Sequence, residues 1–146
     1  MKKTIGNYQT VETLSATQLE LVIKVYDGAI SNFKQAKECY QKEKIQAGHD
    51  ALEKAKKFIV HLYTTLDEEK GGDIAEKLSQ LYAYAIEQIH FVQATKDCDR
   101  IQEVVDIFDN IREGWAELNK RSKNDNAVEK KNPHQDKPKK GISISL

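Results

Sequence analysis

The stretch Thr17–Gln41 reads TQLELVIKVYDGAISNFKQAKECYQ, and its apolar residues recur in steps of three and four at Leu19, Val22, Tyr26, Ala29, Phe33, Ala36 and Tyr40. An α-helix turns once every 3.6 residues, so this spacing lines one face with apolar side chains, whereas a strand would alternate at every second position. Ser15 stands where an N-cap belongs, and Gln18 follows three residues later, as in a capping box. The stretch predicts one amphipathic helix whose apolar face other elements must cover.

Working outward, three more segments repeat the pattern. The second runs from about Gly48 to Asp67, with Leu52, Ala55, Ile59, Leu62 and Leu66. The third follows the breaker Gly71-Gly72, carries Asp73 in its first turn, and shows Ile74, Leu78, Leu81, Ala85, Ile89 and Val92. The fourth, from about Asp99 to Arg121, shows Ile101, Val104, Phe108, Ile111, Trp115 and Leu118, with Asp97 or Asp99 as its cap. The links at about Lys42–Ala47, Glu68–Gly72 and Lys96–Cys98 are short, which favours antiparallel neighbours. The expected fold class is all-α, an antiparallel up-down-up-down four-helix bundle. Its expected divisions are an N-terminal segment over 1–16, the bundle over 17–122, and a disordered basic tail over 123–146. Both prolines, Pro133 and Pro138, fall in that tail, where Lys123, Lys130, Lys131, Lys137, Lys139 and Lys140 meet only Asp125, Glu129 and Asp136. Its end, Gly141 to Leu146, alternates apolar and polar residues, as either an added strand or a loose terminus would.

Composition narrows the function classes. A chain of 146 residues is long enough for one self-sufficient core. Lys+Arg and Asp+Glu both number 23, and this balance speaks against a nucleic-acid binder. The sequence contains no apolar run long enough to span a membrane, and Met1–Tyr8 lacks the apolar stretch of a secretory signal, so the expected location is the cytoplasm. Cys39 and Cys98 form no metal motif and read as free thiols in a reducing compartment, although both fall at the same end of the expected bundle.

Motifs of catalytic chemistry are scarce in the sequence. There is no Gly-x-Ser-x-Gly elbow and no phosphate-cradling loop. A di-metal bundle needs two Glu-x-x-His pairs plus two inward glutamates. Glu87-Gln88-Ile89-His90 supplies one pair, and no second pair exists. The sequence calls for no enzyme, catalytic residue, metal or cofactor. His61 and His90 read as residues at the edge of the core.

Apolar residues also stand beside the main stripes: Leu21, Val25 and Ile30 in the first helix, Phe58 and Tyr63 in the second, and Tyr82, Tyr84, Ile86 and Phe91 in the third. They fit either a broad core face or a groove that receives a partner helix. Gly28, in mid-helix, costs about 1 kcal/mol relative to alanine. It suits a close approach by a neighbouring helix or by a ligand.

Leu14-Ser15-Ala16-Thr17-Gln18-Leu19 followed by Val25-Tyr26-Asp27-Gly28-Ala29-Ile30 resembles the first helix of the FliS-type flagellar export chaperones. Thr65-Leu66-Asp67-Glu68-Glu69-Lys70-Gly71-Gly72-Asp73-Ile74-Ala75 and Leu78-Ser79-Gln80-Leu81-Tyr82-Ala83-Tyr84 are similar to their second-to-third helix junction. Val105-Asp106-Ile107-Phe108, Ile111-Arg112 and Trp115 are similar to their last helix. With Tyr8-Gln9, the resemblance spans about Tyr8 to Leu118. It implies a cytoplasmic chaperone that binds the C-terminal segment of flagellin, prevents premature polymerisation and aids type III export. It further implies a partner-binding set of Ile5, Tyr8, Leu21, Val25, Gly28, Tyr82 and Ile86, with Ile5 and Tyr8 on an N-terminal flap over the groove. The export apparatus or a co-chaperone stand as further partners, and weak self-association is an open alternative. The competing reading is a helical adaptor that binds another secretion or regulatory protein.

Overall fold

Four helices, α1 (Ala16–Gln41), α2 (Ile45–Thr64), α3 (Glu68–Thr95) and α4 (Cys98–Lys131), make up the computed structural model, which describes residues 16–66 and 68–131. The links between them are built from local chemistry. After α1, Lys44 N–H donates to the Cys39 carbonyl and Glu43 N–H to the Tyr40 carbonyl, while Glu43 takes φ 62°, which is a Schellman stop with a glutamate in the left-handed position. Lys96 ends α3 similarly at φ 59°. The Asp97 carboxylate then caps α4 by accepting from Asp99 N–H at 3.0 Å and Arg100 N–H at 3.4 Å. Gly72, at φ 59° and ψ −135°, breaks the helical path inside α3, in a region of backbone space open essentially only to glycine.

Side-chain pairs between helices fix their directions. Along α1 and α4, Lys37 meets Gln102, Asp27 meets Arg112, and Glu20 meets Lys123. One number falls as the other rises, so these helices run antiparallel. Tyr40 with His49 orders α1 against α2 in the same sense, and Glu53 with Gln93 and Lys56 with His90 order α2 against α3. Each helix borders its two neighbours in the chain order α1-α2-α3-α4-α1, and among the described residues the diagonal pairs make no close backbone approach. This is the expected up-down-up-down bundle.

The core follows the expected stripes along α1, α2 and most of α4. Tyr26, Phe33, Tyr82, Phe108 and Trp115 form a linked aromatic centre with ring centroids 5.4–6.4 Å apart. Two findings depart from the sequence reading. In the first half of α3 the buried row is Ala75, Ser79 and Tyr82, whereas the expected row was Ile74, Leu78 and Leu81; Ile74 is 39% exposed and Leu78 and Leu81 are half-buried. The two rows lie one residue apart, and the Tyr82 hydroxyl, which needs a buried partner, settles the phase. The other departure is at α4, which runs to Lys131, ten residues beyond Arg121, because nothing before Pro133 forbids helix.

Candidate partner-binding surface

The α1–α2 side of the bundle is closed. A Cβ at Gly28 would meet the Phe58 ring at 2.6 Å, and one at Gly48 would meet the Tyr40 ring at 2.6 Å. Ala29, Ala36 and Ala55 are fully buried. These small residues let the two helices approach closely. At the centre, the Tyr26 and Tyr82 hydroxyls share a buried hydrogen bond of 2.6 Å. Burial holds both phenols in the neutral form and raises their pKa values above the usual 10.0. Burial, with Cys98 and Cys39 nearby, pushes Tyr40 up to about 12.

The α3–α4 side is different. Gln88 reaches Arg100 across this seam at 2.7 Å. Steps of three and four back from Gln88 lead to Leu81, Leu78 and Ile74 on α3, and steps on from Arg100 lead to Ile107, Ile111 and Leu118 on α4. Leu78, Leu81, Ile107, Ile111 and Leu118 are only partly buried, although all five pack against the core. Gly114 lies on the same flank, and a Cβ there would meet nothing within 4 Å among the described residues. The two facing flanks therefore each carry a row of partly exposed apolar side chains.

The expected binding set divides among different places. Ile5 and Tyr8 lie outside the described residues. Leu21 is 58% exposed, near the start of α1. Val25 and Ile86 are half-buried against the core. Helical spacing sets Val25 with Gly28, under Phe58, on the α2-facing flank of α1, while Ile86 lies on α3 in line with His90 and Gln93, which also face α2. Tyr82 was expected to line a groove and instead sits 1% exposed in the core, drawn inward by the Tyr26 hydroxyl. Of the four, Tyr82 is in the core, Val25 and Ile86 stand on flanks that face α2, and Leu21 is in water. The row that sequence reasoning assigned to the core, Ile74-Leu78-Leu81, is the one the fold leaves accessible. Two adjacent apolar rows on one helix were the available signal.

One polar feature stands at the Trp115 end of the core. Trp115 Nε1 and Asn119 Oδ1 are both buried, and among the described residues neither meets a hydrogen-bond partner. The Trp115 ring lies 6.4 Å from that of Tyr26, and its N–H turns toward that phenol and eases its ionisation without reaching strict hydrogen-bond geometry.

Several of the remaining titratable groups form surface pairs. His90 Nε2 stands 3.2 Å from Lys56 Nζ, with Glu53 beside it, so the lone Glu-x-x-His pair faces an ammonium group. Among the described residues no cluster of three or more His, Cys, Asp or Glu could hold a metal ion, and no helix is long and apolar enough to cross a membrane. Cys98 donates to the Lys37 carbonyl at 3.8 Å and Cys39 lies two residues further along α1; both are free thiols.

A family model described as flagellar protein FliS matches residues 1–122. The flagellar secretion chaperone FliS of Salmonella typhimurium is 34% identical over 110 residues, covering 75% of this chain and 82% of the relative. The flagellar secretion chaperone FliS of Vibrio cholerae is 31% identical over 104 residues, covering 71% and 76%. The chain therefore belongs to the FliS family, whose members are flagellar secretion chaperones and not enzymes.

Proposed function

We propose that this protein binds the C-terminal segment of flagellin in the cytoplasm and holds it unpolymerised until export. The observation that carries this reading is the pair of partly exposed apolar rows facing each other across α3 and α4, Leu78 and Leu81 on one side and Ile107, Ile111 and Leu118 on the other. A client that folds on binding must bury enough apolar surface to offset the entropy of its own ordering. At about 25 cal/mol per Å² of apolar area removed from water, a lined seam of this kind supplies that surface. Exposed Leu21 stands apart from this seam, on the α2-facing flank of α1 in line with Val25 and Gly28, and offers a second apolar point at that end of the bundle.

The test is titration with a peptide of the flagellin C-terminal segment, followed by calorimetry and circular dichroism. The expected result is one-to-one binding with a gain of helix, and loss of affinity in Leu78→Glu and Leu21→Glu. Leu21→Glu should leave the melting temperature unchanged, because that side chain is already in water. Neither heat nor helix gain with the wild-type protein would remove the reading.

A further inference from the structure

We propose that Arg100 receives the terminal carboxylate of the client segment where the α3–α4 seam closes, and so fixes how far along the seam the client can lie. This inference rests on the client reading above and gives the seam a polar end.

The guanidinium of Arg100 is held in place without being neutralised. It stands in the first turn of α4, half-buried, and its Nη1 donates to Oε1 of buried Gln88 on α3 at 2.7 Å. Its central carbon lies 4.5 Å from the centroid of the Phe91 ring. The bond and the ring contact together set the position and plane of the group. A guanidinium carries several N–H donors in a flat fork, and the Gln88 bond uses one of them. Among the described residues no carboxylate forms an ion pair with Arg100, although Asp97, Asp99 and Glu103 are its neighbours in sequence and Glu87 adjoins Gln88. Arg112, also half-buried on α4, does pair with an acid, Asp27. Phe91 is exposed, so the face of the bundle on which the guanidinium lies is open to an incoming anion.

Position then selects the anion. The Gln88–Arg100 bridge crosses the seam close to the turn at Lys96 and Asp97 that joins the two helices. At about 1.5 Å of rise per residue, Leu81 and Ile107 lie level with each other about 10 Å from that bridge, and Leu78 and Ile111 about 15 Å from it. A segment lying along these rows toward the turn meets the bridge as a polar bar across its path. Apolar side chains that ran on over it would strip water from a cation without pairing it, which is costly. A segment that ends there instead brings its own terminal carboxylate, whose two oxygens match the flat fork of an arginine. The C-terminal segment of a protein is the kind of client that ends in this way.

The test uses the full-length protein and the flagellin C-terminal peptide in two forms, free acid and C-terminal amide, titrated by calorimetry. The wild-type protein should bind the free acid on the order of tenfold more tightly than the amide. Arg100→Gln should weaken the free acid by a similar factor and leave the amide where it was, because both changes remove the same contact. Arg100→Lys keeps the charge without the fork and should retain part of the preference. A wild-type protein that binds acid and amide equally overturns the proposal. So does an Arg100→Gln variant that weakens both forms alike, for then the arginine shapes the seam or meets an acidic side chain within the client. A wild-type protein that binds neither form sinks the client reading instead, and the assignment with it.

Discussion

The α1–α2 interface and the α3–α4 seam are built from the same kinds of helix and end in opposite states. The first interface uses glycine and alanine to bring two backbones together, with the Phe58 ring lying over Gly28 and the Tyr40 ring over Gly48. The second also has a glycine, Gly114, but nothing fills the space beside it, and its large side chains stay partly uncovered. The contrast teaches that small residues close an interface only when a large side chain from the partner helix occupies the gap. Where none does, the same residue leaves room for something else.

The largest effect should come from the centre that joins both halves. Phe108 is fully buried and packs against Tyr26, Phe33 and Tyr82. Phe108→Ala should lower stability by about 3–5 kcal/mol in urea denaturation. A loss of less than about 1 kcal/mol would mean that the two halves do not share one core.

The two glycines sharpen the comparison directly. Gly28→Leu drives a side chain into Phe58 and should cost about 1–3 kcal/mol, read by thermal melting. Gly114→Ala meets open space and should gain about 1 kcal/mol from helix propensity. Gly114→Leu should keep the melting temperature but weaken the flagellin peptide, since the added bulk occupies the seam. If both glycines respond alike, the distinction between a closed and an open side fails.

The fold was legible because its cues are local and periodic. The α1 and α2 stripes and the Asp97 cap could all be taken from spacing and residue type, and the structure keeps them. The seam was harder to see. On α3 the row Ile74-Leu78-Leu81 is the larger and greasier, so hydrophobicity alone sends it inward. In the structure α3 instead turns Tyr82 inward, where its hydroxyl meets that of Tyr26, a residue 56 positions away in the chain. No local pattern announces such a pairing. The extra length of α4 was missed because a lysine-rich composition was weighed above the absence of any helix breaker before Pro133.

The buried tyrosines give the comparison a pH axis. Tyr26 and Tyr82 hold their protons more tightly when folded than the ordinary value of 10.0. Above pH 10 the unfolded chain therefore binds fewer protons than the folded one, and stability falls as pH rises; below pH 10 these groups contribute no slope. The expected loss is on the order of 1 kcal/mol per pH unit for each tyrosine that stays protonated. Tyr40, pushed up to about 12, adds to the loss between pH 10 and about 12. Tyr82→Phe should make the alkaline decline shallower in pH-dependent urea melts, and an unchanged slope would place the sensitive groups elsewhere.

The smallest expected effect lies at the α1–α2 link, on the closed side. Glu43 carries φ 62°, in the left-handed region that side chains with a Cβ disfavour by roughly 1–2 kcal/mol. Its N–H and that of Lys44 nevertheless hold the last carbonyls of α1, so the tight turn is kept in spite of the residue that occupies it. Glu43→Gly removes the steric penalty but adds freedom to the unfolded chain, which takes back up to about 1 kcal/mol. The net gain should be a few tenths of a kcal/mol, and flagellin-peptide affinity should not change, because the turn joins α1 to α2, on the side of the bundle away from the α3–α4 seam. A loss of stability would mean that the glutamate side chain makes a contact worth more than the strain it imposes.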